Sequence, residues 1–310
     1  MAGVLKLIEA ELAQPAPAAV TQLAAQLAAR ASGGTAAVLF YGSNLRDASL
    51  DGVLDFYILL DDVRTWPGPR LAAFANRLLP PNVGYFEGPI EGATLRVKYA
   101  VMSVEQFRAG TSRETLDTTL WARFSQPCTC VWARSRADRA VVGTLVQQAV
   151  VTAAQWAAEL GPERGEALAY WRALFAHTYG AELRVEKTTR SDDIVGRNAE
   201  RYAALLPEAW LLANLRFEAR DDGKLHPQLA VDERLDATRR WARRQQLGKW
   251  LNALRLLKAA YTFDGALEYL AWKVERHSGY RLVFATWERR FPLLAAPRIY
   301  WRLRREGVLR

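Results

Sequence analysis

Two kinds of hydrophobic pattern divide the chain. Residues 36–41 (AAVLFY) and 53–60 (VLDFYILL) are nearly continuous apolar runs, rich in β-branched and aromatic side chains. Each is too short for a helix, so both predict buried strands. Residues 93–103 (ATLRVKYAVMS) predict a further strong strand and 128–133 a last one, with the glycine-bearing stretch 82–91 extended. Helical spacing predicts helices over 3–13, 18–31 and 70–79, and helical pieces from 104 and over 116–124. Ser32-Gly33-Gly34, Trp66-Pro67-Gly68-Pro69 and Pro80-Pro81 mark the stops. The reading is an α/β (α+β) domain with a mixed sheet over residues 1–137.

From residue 138 the apolar period lengthens. Residues 138–160, 166–179 and 194–206 predict helices, giving a mostly helical domain over 138–236 whose end, 218–236, reads as a surface linker. A third region, 237–310, opens with a basic amphipathic helix over 239–261. There Leu247, Trp250, Leu251, Leu254, Leu257 and Tyr261 recur at helical spacing, away from most of the arginines. A helix over 264–277 follows, and the chain ends on PRIYWRLRREGVLR.

Charge sharpens this division. The chain of 310 residues carries a net charge of +9, but residues 239–310 hold 17 Lys/Arg against 5 Asp/Glu, and five of the eleven tryptophans. The rest of the chain is close to neutral. A basic end bearing aromatics points to a polyanionic partner, and arginines beside tryptophans suit an anionic membrane surface. No run reaches the ~18 apolar residues of a membrane-spanning helix. No targeting signal is read at the N-terminus, and the chain is expected in the cytoplasm, peripheral on the inner face of the cell membrane. Cys128 and Cys130 are too close for a structural disulfide and read as reduced core thiols.

The chemistry concentrates between the first two strands. Tyr41-Gly42-Ser43-Asn44 ends the first, and Asp55 sits inside the second, sharing a face with Tyr57 and Leu59. A carboxylate in such a run is costly unless it is paired or binds a cation. Strand, Gly-Ser, turn, strand with an inward Asp is an arrangement that holds a nucleoside triphosphate. Glycine admits the phosphates, backbone N–H groups and the serine hydroxyl hold their oxygens, and the Asp holds Mg2+. Lys98, in the middle of a strand, is either a triphosphate contact or the salt-bridge partner of Asp55 or Glu87. Tyr57 stands where a second carboxylate is common. Asp51, Glu87 or Glu91 are the candidates for a second metal ligand, while Asp61 lies about 20 Å along the strand at ~3.3 Å per residue. His177, His226 and His277 read as structural or surface residues.

Several stretches, in order, resemble the mitochondrial translocator assembly and maintenance family of phosphatidate cytidylyltransferases. They are YGSN at 41–44, LDFYILLDDVRTW at 54–66, VGYFEG at 83–88, RVKYAVMS at 96–103 and LWARFSQP at 120–127. AVVTAAQWA at 149–157 and GAELRVEKTTRSDDIVGRN at 180–198 follow. The resemblance implies a nucleotidyltransferase domain, a winged-helix-like helical domain and a membrane-binding C-terminal part. It implies synthesis of CDP-diacylglycerol and pyrophosphate from CTP and phosphatidic acid, with Mg2+. Asp55 would hold the metal, Gly42 and Ser43 the β- and γ-phosphates, and Lys98 the leaving pyrophosphate, with Tyr41 and Asn44 in the same motif. Glu186, Lys187 and Asn198 would face the active cleft. The residues by themselves leave two other readings open: a nucleotidyltransferase with another acceptor, such as a different lipid phosphate, a small molecule or RNA, and a membrane-binding module without activity. Nucleic acid is not the expected partner.

Overall fold

The computed structural model describes residues 3–47, 50, 52–90, 92–181 and 194–306. The two apolar runs form adjacent antiparallel strands, β1 (Thr35–Tyr41) and β2 (Val53–Leu60). The polar turn between them includes a short helix, α3 (Ser43–Asp47). With β3 (Asn82–Ile90), β4 (Ala93–Ser103) and β5 (Cys128–Ala133) they make a five-stranded sheet of order β3-β4-β2-β1-β5. β2 and β4 run parallel and the other neighbours antiparallel, so the sheet is mixed as predicted.

Period-two patterning sorts the strand residues between two cores. Val38, Phe40, Leu54, Phe56, Ile58, Leu60, Val97 and Val101 face α2 (Ala18–Ala29), against Val20, Leu23 and Leu27. Leu39, Tyr57, Leu59, Ala100 and Met102 face the opposite way. They are covered by α5 (Val104–Thr111), α6 (Thr119–Phe124) and α7 (Arg136–Leu160). That second core runs on through α8 (Ala167–Ala181) and α9 (Ala199–Leu212), and α1 (Gly3–Leu12) packs into it. The expected boundary at 137/138 therefore falls inside one continuous core. Cys128 and Cys130 are buried free thiols, and burial raises both.

Residues 218–236 are not a linker. They hold most of a small hairpin, β6 (Phe217–Ala219) with β7 (Leu225–Pro227), and the start of the long helix α10 (Val231–Thr262). The polar composition misled because it belongs to a helix N-terminus. There the Glu233 carboxylate accepts from the Ala230 N–H at 2.7 Å, which satisfies one unpaired first-turn donor. Helix α10 then docks on the body through Ala237, Trp241 and Arg244. Trp241 packs edge-on against Trp156 at 5.3 Å, and Arg244, only 6% exposed, lays its guanidinium 4.4 Å from the same ring. A run of arginines that reads as a solvated face thus supplies part of the packing.

Beyond α10 come α11 (Ala266–Ser278), α12 (Thr286–Arg290) and α13 (Pro292–Arg305). Val274, Leu282, Phe284, Ala295, Ile299 and Leu303 give them a small core of their own. The α10–α11 connection docks on the free edge of the sheet, where the Tyr85 N–H donates to the Asp264 carbonyl at 2.8 Å. Asp264 also accepts from Tyr99 Oη at 2.7 Å and from Arg30 at 3.0 Å. The Tyr99 ring lies over Gly84, so a Cβ there would stand 2.3 Å from a ring carbon. Gly84→Ala is expected to cost ~1–3 kcal/mol by overpacking, read as a lowered Tm. An unchanged Tm would mean that Tyr99 moves aside freely. Among the described residues, no helix is long and apolar enough to cross a membrane.

Candidate functional site

The covering helices stop short of one end of the sheet. Tyr41, Asp55 and Lys98 lie side by side there on β1, β2 and β4, as successive partners in the ladder. Directly opposed residues share a face about 5 Å apart, so Asp55 and Lys98 project together. Gly42 follows at the end of β1 with φ +96°, a conformation that glycine adopts without strain. A Cβ on Gly42 would stand 3.0 Å from Asp55 Oδ2. Glycine is therefore needed here twice, for its backbone angle and for the space beside the carboxylate. The Ser43 hydroxyl donates to Asn44 Oδ1 at 3.3 Å.

These residues form one wall of a cavity of about 470 Å3, within the range of small-molecule sites. Tyr41, Gly42, Ser43, Asp55 and Lys98 line it. The opposite wall comes from parts of the chain that the sequence left unassigned. From the approach to α6 and from α6 itself come Asp117 and Arg123, and from α10 come Asn252, Arg255 and Lys258. Arg123 donates to Tyr57 Oη at 3.1 Å and its guanidinium lies 5.1 Å from the Tyr41 ring. The place where a second carboxylate is common is thus filled by a buried phenol in an aromatic cluster with Tyr41 and Phe124.

Arg255 holds the second wall in position. Its guanidinium donates to Asp117 Oδ2 at 2.5 Å and to the Pro80 carbonyl at 3.0 Å. Beside it, Lys258 Nζ donates to the Leu79 and Pro81 carbonyls at 2.5 and 2.6 Å. Burial, and then the charge of Arg255, push the Lys258 ammonium down to about 8. Burial raises the Asp117 carboxyl, but the hydrogen bond and charge of Arg255, with Thr119, outweigh it and hold it below the usual carboxylate range.

Other candidates lie elsewhere. Glu87 Oε1 accepts from Tyr85 Oη at 2.6 Å and from Arg96 at 3.3 Å, and it is not among the cavity-lining residues. β4 separates it from β2, so the structure does not bring it to Asp55 as a second metal ligand. Asn198 turns its side chain to the Ile194 carbonyl at 3.4 Å and is not among the lining residues either. Asp61 is taken by Arg134. Asp51, Glu91, Glu186 and Lys187 fall outside the described residues. No histidine lines the cavity. Among the described residues no group of three or more His, Cys, Asp and Glu forms a metal cluster. The donors do fit a Mg2+ ion held through one carboxylate, since Mg2+ takes one or two carboxylates together with substrate phosphates. The space beside Asp55 Oδ2, which a Cβ on residue 42 would fill, fits such an ion as well.

Neither a protein-family model nor a curated protein matches the chain. Among solved structures, it is similar to a nucleotidyltransferase-like protein from Exiguobacterium sibiricum 255-15, at 12% identity and a TM-score of 0.28. The match spans 93% of this chain and 91% of that one. At that degree of likeness the neighbour bears on neither the fold nor the chemistry of this chain.

Proposed function

We propose that the chain is a nucleotidyltransferase. The observation that carries this is the row Tyr41, Asp55 and Lys98 at the open end of the sheet, with Gly42 held at positive φ against the Asp55 carboxylate. The particular reaction we infer is transfer of cytidine monophosphate from CTP to phosphatidic acid, giving CDP-diacylglycerol and pyrophosphate. Its support is the resemblance of the 41–44, 54–66, 96–103 and 120–127 segments, all of which contribute residues to the one cavity.

An acceptor phosphate oxygen attacks the α-phosphorus of CTP. The bond from the α-phosphorus to the α,β-bridging oxygen breaks, and pyrophosphate leaves with the electron pair. A phosphate monoester with its second pKa near ~6 is already mostly dianionic at pH 7, so no base is needed to take a proton. This agrees with a cavity lined by no histidine. The rate then rests on positioning and charge neutralisation. Gly42 and Ser43 hold the β- and γ-phosphates, and Lys98 meets the charge that develops on the leaving pyrophosphate. Asp55 is the Mg2+ ligand, and the ion when bound supplies further charge neutralisation. Equilibrium binding of CTP, UTP, ATP and GTP in Mg2+ tests the first half of the reading: CTP is expected to bind most tightly, and failure of all four would overturn it.

The membrane is the proposed source of the acceptor. Helix α10 turns Arg255 and Lys258 to the body and leaves Trp250, Leu254, Leu257 and Tyr261 outward, Trp250 being 72% exposed. Exposed Leu71, Phe74 and Leu78 on α4 (Arg70–Leu78) lie nearby, where Lys258 grips the Leu79 carbonyl. An apolar stripe of this extent on a basic helix suits an anionic bilayer. Changing Trp250, Leu254, Leu257 and Tyr261 together to serine is expected to weaken flotation with anionic liposomes by at least ~100-fold. Each large side chain contributes ~1.5–3 kcal/mol when fully buried. Tm should hold, because none of the four is buried in the body. Undiminished flotation would remove the stripe from the account.

A further inference from the structure

The C-terminal region does more than carry an apolar stripe. Because Asp264 pairs with the edge of β3, helix α11 begins at the sheet, where Gly265, at φ +73°, has no room for a Cβ: one would stand 2.5 Å from the Tyr85 carbonyl oxygen. The helix then carries Tyr269, Trp272 and Arg276, at i, i+3 and i+7, on a single face. Each can be located relative to the strands. The Tyr269 ring packs on Tyr85 at 5.3 Å, and Tyr85 is the ladder partner of Lys98. Trp272 stacks on Tyr269 and has two guanidinium groups over its ring, Arg276 at 5.2 Å and Arg96 at 5.9 Å. Arg276 Nη1 lies 2.8 Å from where a Cβ on Gly52 would stand, three residues before Asp55. The charge of Asp55, after burial, raises the Tyr269 phenol, which agrees with this proximity.

The cations of this end are spread along it: Lys98 is the ladder partner of Asp55, Arg276 lies against Gly52, and Arg96 is paired with Glu87. Arg276 makes no ion pair with any described residue. A guanidinium stacked on Trp272 suits polyanion recognition, since its planar fork binds phosphate oxygens in pairs.

We infer that Arg276, carried over the sheet by α11 and lying against Gly52 just outside the lining of the cavity, binds the β- and γ-phosphates of the nucleoside triphosphate at the far end of the turn that Gly42-Ser43 open. The segment beyond residue 262 is then part of the nucleotide site and not only a membrane-facing appendage. This rests on the nucleotidyltransferase reading, and the experiment separates the two. Whichever of the four nucleoside triphosphates binds best in Mg2+, and its monophosphate, are titrated into the full chain and into Arg276→Ala. The wild type should bind the triphosphate. The variant should bind it at least ~10-fold more weakly and the monophosphate within ~2-fold of wild type, because the contact is with the outer phosphates. Tm and liposome flotation should hold. Unchanged triphosphate affinity overturns the assignment, and so does an equal loss for both ligands, which would mark a structural effect. If the wild type binds no triphosphate, the broader reading falls and takes this one with it.

Discussion

Asp55→Asn is expected to lower the rate of nucleotidyl transfer by ~1,000-fold or more while leaving the fold intact. The substitution keeps the shape of the side chain and removes its charge. Asp55 is the lining carboxylate on the strand wall, and Gly42 leaves space open against its Oδ2. An electrostatic group aimed at the reacting phosphates contributes ~100- to 1,000-fold by itself. Here the same group is the proposed Mg2+ ligand, so its loss also weakens the hold on the metal. The check is pyrophosphate release at saturating CTP, with thermal unfolding alongside. A variant within tenfold of wild type would remove Asp55 from the chemistry. A variant that does not fold would assign it a structural role instead.

Asp117→Ala is expected to be the most damaging substitution for stability, at about 3–5 kcal/mol, the usual cost of stranding one member of a buried ion pair. Asp117 and Arg255 are both largely buried, their carboxylate and guanidinium 2.5 Å apart. Arg255 also bridges to the Pro80 carbonyl, so the pair ties α10 to the turn before β3 and holds the second wall of the cavity. Denaturant unfolding of Asp117→Ala, Arg255→Met and the double variant measures this. The double variant should recover much of the loss, since it removes both charges; additive losses would contradict the pairing. The pH dependence has a definite sign. The Arg255 guanidinium and Thr119 hold the folded-state Asp117 carboxyl below the ordinary range of an unfolded carboxylate. Its stabilisation is therefore fully present above the unfolded value and is lost as pH falls below about 4, through the folded value. The acid limb of the stability profile should be shallower in Asp117→Ala.

The sequence made some of this site legible and hid the rest for physical reasons. β1 and β2 stood out because strands buried on both faces read as continuous apolar runs, and a charged residue within such a run, Asp55, must have a use. Lys98 stood out in the same way. The opposite wall did not. Asp117 lies in the polar stretch 112–119, and Arg255 and Lys258 lie among many other basic residues of the tail. A helix face turned to a polar cavity carries the same residue types as one turned to water. The signal that was available is the spacing of Arg255 and Lys258, three apart and off the Trp250, Leu254, Leu257 and Tyr261 stripe. On a helix docked by Trp241 that spacing turns them inward. Arg123 was in view within LWARFSQP but had no assigned role, because its partners Tyr41 and Tyr57 are far away in sequence. Glu87 was a reasonable metal candidate by type, but only the strand order and the position of Arg96 take it away from Asp55. Deleting residues 239–310 is a poor test of membrane binding for a related reason. Trp241 and Arg244 sit in the body's own packing, so the truncation would remove core along with any membrane contact.

The most direct test of the central claim uses CTP labelled at the α-phosphorus, incubated with Mg2+ and the full chain, with and without phosphatidic acid in detergent. The account predicts equal amounts of released pyrophosphate and label transferred to lipid, only when phosphatidic acid is present, and neither with Asp55→Asn. Pyrophosphate release that does not depend on the lipid, or no release from any combination of nucleotide and phosphatidic acid, would contradict it.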